Sequence, residues 1–256
     1  MAIKMEYPTW GVISKDIKVL QDVKQIDPIK YLKLDKAFEE KTNPECVCNN
    51  PQYTQDLVGV DIPVLLSQEN KASEGIIVIL GESPLRTAND KNNDNNIVFG
   101  LPYAVHMVME KPPQSTMYKG IYNKLLSKGY SVYLTDIIKD WWKGRKLDPT
   151  DLDVDLFKEE LQILKKYYNL SHDKITIVCF GKKAEKAVNK INVGNFISLP
   201  HPSKLNWTTW KLRIFEKAVY GNNINYAIKR YPNSSSSTSE TIVSNEVIDE
   251  ILANIP

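Results

Sequence analysis

Ile76-Ile77-Val78-Ile79-Leu80-Gly81-Glu82-Ser83-Pro84 is the stretch from which the fold can be read. An unbroken aliphatic and β-branched run has no polar side to turn toward water. It therefore marks a strand buried on both faces, as in a parallel sheet covered by helices. The run stops at Gly81 and passes into a polar loop that opens with a carboxylate. Phe196 to Leu199 has the same grammar, leading through Pro200 into His201-Pro202-Ser203. In an open α/β sheet the carboxyl ends of the strands border the crevice where ligands bind, so two polar loops leaving strands the same way can converge on one substrate. One brings an acid and the other an imidazole.

Working outward, Ser131 to Thr135 and Ile175 to Phe180 read as further strands, and helical patterns separate them. Ser115 to Lys128 is one helix. Phe157, Leu161, Leu164 and Tyr168 recur at spacings of four, three and four, the apolar face of another. Gly181-Lys182-Lys183 opens a helix with Ala184, Ala187, Val188 and Ile191 inward, and Asn206 is placed to cap a helix carrying Trp207, Trp210, Ile214 and Ala218 on one side. Strands alternating with helices require right-handed crossovers and helices on both faces of a mainly parallel sheet. The expected fold class is α/β, a three-layer α/β/α domain.

The ends read differently. Residues 1–70 mix short apolar and polar pieces with Pro8, Pro28, Pro44, Pro51 and Pro63, and are expected to form a partly helical extension packed on the core. Residues 71–231 carry the α/β/α domain. Residues 232–256 hold a serine-rich linker at Ser234 to Ser237 and a terminal helix from Thr241 to Leu252. Asn89 to Asn96 is almost wholly Asn, Asp and Lys, a composition that buries no apolar area and predicts a surface loop beside Glu82.

With Lys+Arg at 33 and Asp+Glu at 31, the net charge of +2 is too small to argue for nucleic acid, so any surface for DNA must be local. No apolar run is long enough to span a bilayer, and Met1 to Trp10 lacks the apolar centre of a signal peptide. Cys46, Cys48 and Cys179 cannot all pair within one chain, which favours a reducing compartment and a cytoplasmic location. Cys46 and Cys48 without a second such pair read as ordinary thiols, and no metal is expected.

Four motifs stand in order at the ends of apolar runs: Gly81-Glu82-Ser83-Pro84, Tyr133-Leu134-Thr135-Asp136-Ile137-Ile138-Lys139, Val178-Cys179-Phe180-Gly181-Lys182, and His201-Pro202-Ser203-Lys204-Leu205. Together, from about Ile76 to Tyr220, they resemble the uracil-DNA glycosylase superfamily. The nearest likeness is to the branch whose first motif carries Glu, many members of which hold an iron–sulfur cluster. The four cluster cysteines are absent here, so no cluster and no other cofactor is implied.

The resemblance implies a monofunctional base-excision enzyme that cleaves the N-glycosidic bond of a deaminated or damaged base, uracil or a related one, and leaves an abasic site. It would act on single- or double-stranded DNA as a monomer. Glu82 would orient the attacking water and steady positive charge on the sugar. His201 would hydrogen-bond the charge that builds on the departing base. Phe99 would stack on the extruded base and Asp136 would read its edge. Ser83, Ser203 and Lys204 would approach phosphates, and Leu205 would insert into the duplex as an apolar wedge.

Two departures qualify the likeness. Related enzymes usually carry Asn where this chain has Asp136; an ionised carboxylate offers acceptors only, so either the base read is not plain uracil or Asp136 keeps its proton. Equally, Asp136 could cap a segment beginning at Ile137. Leu85 stands where relatives often have Gly, which would loosen the backbone's approach to substrate. Two other readings stay open: a non-catalytic module binding nucleic acid or nucleotide on the same fold, and an enzyme acting on free nucleosides or nucleotides.

Overall fold

The computed structural model describes residues 2–16, 46–48, 57–83, 97–104, 113–142, 148–169, 174–191, 193, 196–202, 206–220 and 236–255. Ten strands and six α-helices lie among them: β1 (Ile3–Glu6), α1 (Trp10–Asp16), β2 (Cys46–Cys48), β3 (Leu57–Asp61), β4 (Val64–Gln68), β5 (Ile76–Gly81), β6 (Ile97–Gly100), α2 (Pro113–Ser127), β7 (Ser131–Asp136), β8 (Asp140–Trp142), α3 (Asp151–Tyr168), β9 (Ile175–Phe180), α4 (Lys182–Ile191), β10 (Phe196–Leu199), α5 (Trp207–Tyr220) and α6 (Ser236–Ala253). A short 3₁₀ turn, Pro102–Ala104, follows β6.

The main sheet has six strands in the order β1-β4-β7-β5-β9-β10. β7, β5, β9 and β10 run parallel, whereas β4 pairs antiparallel with both β7 and β1. Successive residues of the strands face opposite sides, so one strand feeds two cores. Ile77, Ile79, Val132, Leu134, Val178 and Phe180 pack with Met117, Ile121, Leu125 and Leu126 of α2, Trp210 of α5 and Val247 and Ile251 of α6. Ile76, Val78, Leu80, Tyr133, Ile177 and Cys179 face the other way, onto Phe157, Leu161 and Leu164 of α3 and Ala184, Ala187 and Val188 of α4. The result is a three-layer α/β/α domain with a core on each face.

Local sequence explains the helix limits. Thr150 and Asp153 form a reciprocal capping box at the start of α3, and Asn169 ends it in the left-handed region at φ 49. Gly181, at φ 98, makes the turn from β9 into α4, and its N–H donates to the Leu199 carbonyl. That bond ties the β9 turn to the end of β10.

The first seventy residues contribute more than packing. β1 and β4 are strands of the main sheet itself, and β3 belongs to a second, four-stranded sheet in the order β2-β6-β3-β8. Both β3 to β4 and β7 to β8 are joined by short links, so the second sheet adjoins the carboxyl end of β7. At the other terminus, α6 begins at Ser236, so part of the expected linker is helical, and Val243, Val247, Ile248 and Ile251 are buried. Trp141 in β8 is buried as well. Among the described residues no helix is long and apolar enough to cross a membrane. The Asn89 to Asn96 segment and Leu85 lie outside the described residues.

Candidate active site

Chain order places β7 on one side of β5 and β9 on the other, so the strand order reverses beside β5. At such a reversal the connections leave in opposite directions and open a crevice at the carboxyl ends. Glu82 leaves β5 at that point. Its Oε1 accepts from Lys183 Nζ at 2.5 Å, across the gap to the first turn of α4, and both side chains are partly exposed. A flexible ammonium pairing with a carboxylate at a solvent-accessible rim fixes the direction of the carboxylate more than it adds stability.

Asp136 is the register partner of Gly81 at the end of β7 and is buried. The chain after it forms no helix at Ile137. Instead, Ile137 N–H donates to the Gly81 carbonyl and Ile138 N–H to the Glu82 carbonyl, which laces the two strand-end loops together. Below them, Lys139 Nζ donates to the Asp136 carbonyl at 2.5 Å and pairs with Glu160 at 2.5 Å, both side chains being buried. Glu160 Oε2 also accepts from the Tyr133 hydroxyl and from Thr135 Oγ1, at 2.7 and 2.9 Å. The floor of the site is therefore hydrogen-bonded from below.

Gly81 is small for a reason visible in its surroundings. A methyl group there would sit 2.1 Å from Asp136 Oδ1 and 2.6 Å from the Tyr103 hydroxyl, well inside contact distance. Tyr103 reaches this spot from the 3₁₀ turn after β6 with its backbone in the left-handed region, φ 57 and ψ 25. A non-glycine residue held in that region carries a conformational cost that local packing must offset.

His201 stands two residues past β10 among aromatic rings. Its ring lies 6.4 Å from Tyr103 at an interplanar angle of 26°, and edge-on to Phe180 and Tyr118 at 6.1 Å each. Its Nδ1 is 3.5 Å from the Tyr118 hydroxyl, a long contact. Burial pulls His201 down to about 4, so the imidazole is neutral at physiological pH. Burial, reinforced by the nearby Asp136 charge, raises the hydroxyls of Tyr103 and Tyr118 and keeps both protonated. With Tyr118 as donor, the neutral ring carries its own proton on Nε2 and can donate it.

This neutrality has a measurable consequence. The folded protein binds its His201 proton only near pH 4, whereas the unfolded chain binds it near 6.5, so stability is full above about pH 6.5 and is lost as pH falls toward 4. Between pH 7.5 and pH 5 the contribution is about 2 kcal/mol, or a melting temperature lower by roughly 4–8 °C. His201→Gln is expected to show a shallower fall over the same interval in thermal melts. Equal slopes for both proteins would mean that His201 is not buried as a neutral ring.

Glu82, Asp136 and His201 thus all stand at the carboxyl end of the parallel strands, with Tyr103 linking the last two. Ser83 is next to Glu82 and partly buried. Phe99 is in β6, paired with Cys46 and Val60 in the second sheet, and its ring lies outside the described residues. So do Ser203, Lys204 and Leu205. Sequence reasoning missed Tyr103, Tyr118 and Lys183. Helical phase is the available signal for Lys183, one residue beyond the Lys182 singled out by the motif; nothing local marks Tyr103.

A model of the Uracil DNA glycosylase superfamily matches residues 68–220, which include the whole parallel part of the sheet and every residue of the site just described. The chain belongs to that superfamily. Its fold is the one the motifs imply, and the superfamily acts on DNA, usually hydrolysing N-glycosyl bonds. No match was found among curated proteins.

Proposed function

We propose that this member of the superfamily is a monofunctional DNA glycosylase that removes uracil or a related deaminated base and leaves an abasic site. One observation supports the reading: Tyr103 stacks on the His201 ring and its hydroxyl reaches Gly81, the residue before Glu82, so one tyrosine spans from the β10 end to the β5 end. Cleaving a base from deoxyribose develops a cation on the sugar and an anion on the base. A negative group on one side and a hydrogen-bond donor on the other lower that barrier.

In this mechanism Lys183 holds Glu82 Oε1, and Oε2 orients a water toward the anomeric carbon. The glycosidic bond breaks with its electron pair passing to the base, the water oxygen bonds the sugar carbon, and the water's proton leaves by way of the carboxylate. His201 donates from Nε2 to a carbonyl of the departing base. Being neutral, it does so without first giving up a proton to the medium, and activity should show no histidine titration between pH 5 and 8. Asp136 reads the base edge and Phe99 stacks on the base, while Ser83, Ser203, Lys204 and Leu205 engage the strand. No metal or organic cofactor takes part.

The test is release of a free base from single- and double-stranded oligonucleotides that each carry one uracil, hypoxanthine, xanthine or alkylated base. Release of at least one, leaving an alkali-labile site, is expected; silence across the panel refutes the proposal. Gly81→Ala supplies an internal control on the site. The added methyl must displace the buried Asp136 carboxyl or the packed Tyr103 ring, so base release is expected to fall at least tenfold and the melting temperature to fall with it. Full activity in Gly81→Ala would place the reacting base elsewhere.

A further inference from the structure

The Tyr103 hydroxyl is buried and makes no hydrogen bond among the described residues. A buried hydroxyl without a partner is uncommon, because it forfeits its interaction with water and gains nothing in return. This one is directed at the spot above Gly81 where Asp136 Oδ1 also lies, yet it does not bond that carboxyl. Its backbone is held at φ 57, a conformation a tyrosine adopts only when its surroundings impose it. Rings of Tyr118 at 5.1 Å and Phe180 at 6.1 Å fix the side chain from behind. A rigid donor is aimed into the site and has nothing there to donate to.

We propose that Tyr103 and Asp136 act together as the base-reading pair, the tyrosine donating to a carbonyl and the aspartate accepting from the adjacent ring N–H. The proposal rests on the glycosylase reading and names the class of base it acts on. A single asparagine amide offers one donor and one acceptor; here the two functions are divided between side chains that converge from β7 and from the turn after β6. The edge that fits is a carbonyl beside a ring N–H, as in uracil, hypoxanthine and xanthine. Asp136 then has no need of a proton, since the donor is supplied by its neighbour. Its carboxylate has several lone-pair sites and can accept from the base beside its existing contacts.

The experiment measures kcat and KM for release of whichever of uracil, hypoxanthine and xanthine the wild-type protein removes. It uses the full chain and its Tyr103→Phe, Asp136→Asn and doubly substituted forms, with a thermal melt of each. Tyr103→Phe keeps the ring and its packing but leaves the base carbonyl without a donor, and a tenfold to hundredfold loss of kcat/KM is expected. Introducing Asp136→Asn into Tyr103→Phe should recover most of that loss, because the amide restores a donor. A merely structural tyrosine would not be rescued in this way. Unchanged activity in Tyr103→Phe, or a loss that Asp136→Asn leaves in place while both proteins melt normally, overturns the pairing and leaves the glycosylase reading standing. No base release by the wild-type protein overturns both.

Discussion

Glu82→Gln is expected to slow base release by roughly 10²–10⁴-fold while leaving the protein folded. The substitution keeps the size of the side chain and removes its charge, so it isolates electrostatic stabilisation of the sugar cation from simple filling of space. Lys183 loses a partner at a partly exposed rim, where an ion pair contributes less than about 1 kcal/mol, so stability should be nearly unaffected. His201→Ala should cause a loss of similar order from the opposite side of the bond. Because the two groups serve opposite charges in one transition state, the double variant should lose less than the product of the single losses. Single-turnover release from the best substrate of the panel is the measurement. Wild-type rates in Glu82→Gln would remove the carboxylate from the mechanism, whatever the effect at His201.

What could be read from the sequence follows from where burial is complete. β5 and β9 are legible because strands covered on both faces are almost wholly apolar, β7 because Val132, Tyr133 and Leu134 form a strand-favouring centre, and Glu82, Asp136 and His201 because they stand where those runs or their neighbour β10 stop. β1 reads Ile-Lys-Met-Glu and lies at the sheet edge, half in water, so its composition does not separate it from a loop. β4 is buried from Val64 to Ser67 but follows the proline-broken region that masked it. Tyr103 was beyond reach for a different reason. Its position depends on a left-handed turn in the chain and on rings from α2 and β9, three separate stretches that meet only in the folded protein. Asp136 does not cap the segment beginning at Ile137, because the N–H groups after it find partners on the neighbouring loop at Gly81 and Glu82 instead.

Lys139 is the last residue of the second motif. Its ammonium is buried at 2% exposure against Glu160 at 0%, beneath the site and not over it. With Tyr133 donating to Glu160, Thr9 donates in turn to Tyr133 at 2.8 Å, so the network runs from the residue before α1 through β7 to α3. Removing the acid from such a cluster strands a buried cation and two hydroxyls at once. Glu160→Ala is expected to cost about 3–5 kcal/mol, lowering the melting temperature by roughly 6–20 °C. Lys139→Met combined with Glu160→Leu should recover the part owed to the stranded cation, because a buried ion pair seldom outperforms apolar groups of similar volume, while the Tyr133 and Thr135 hydroxyls still lack their acceptor. Activity should not recover with it. Lys139 also holds the Asp136 carbonyl, and methionine cannot. A double variant that is stable yet slow would therefore locate the value of the pair in the placement of Asp136. Should the double variant regain both, the network is a matter of folding alone, and the Asp136 carboxyl is positioned by the loop bonds to Gly81 and Glu82 without help from below.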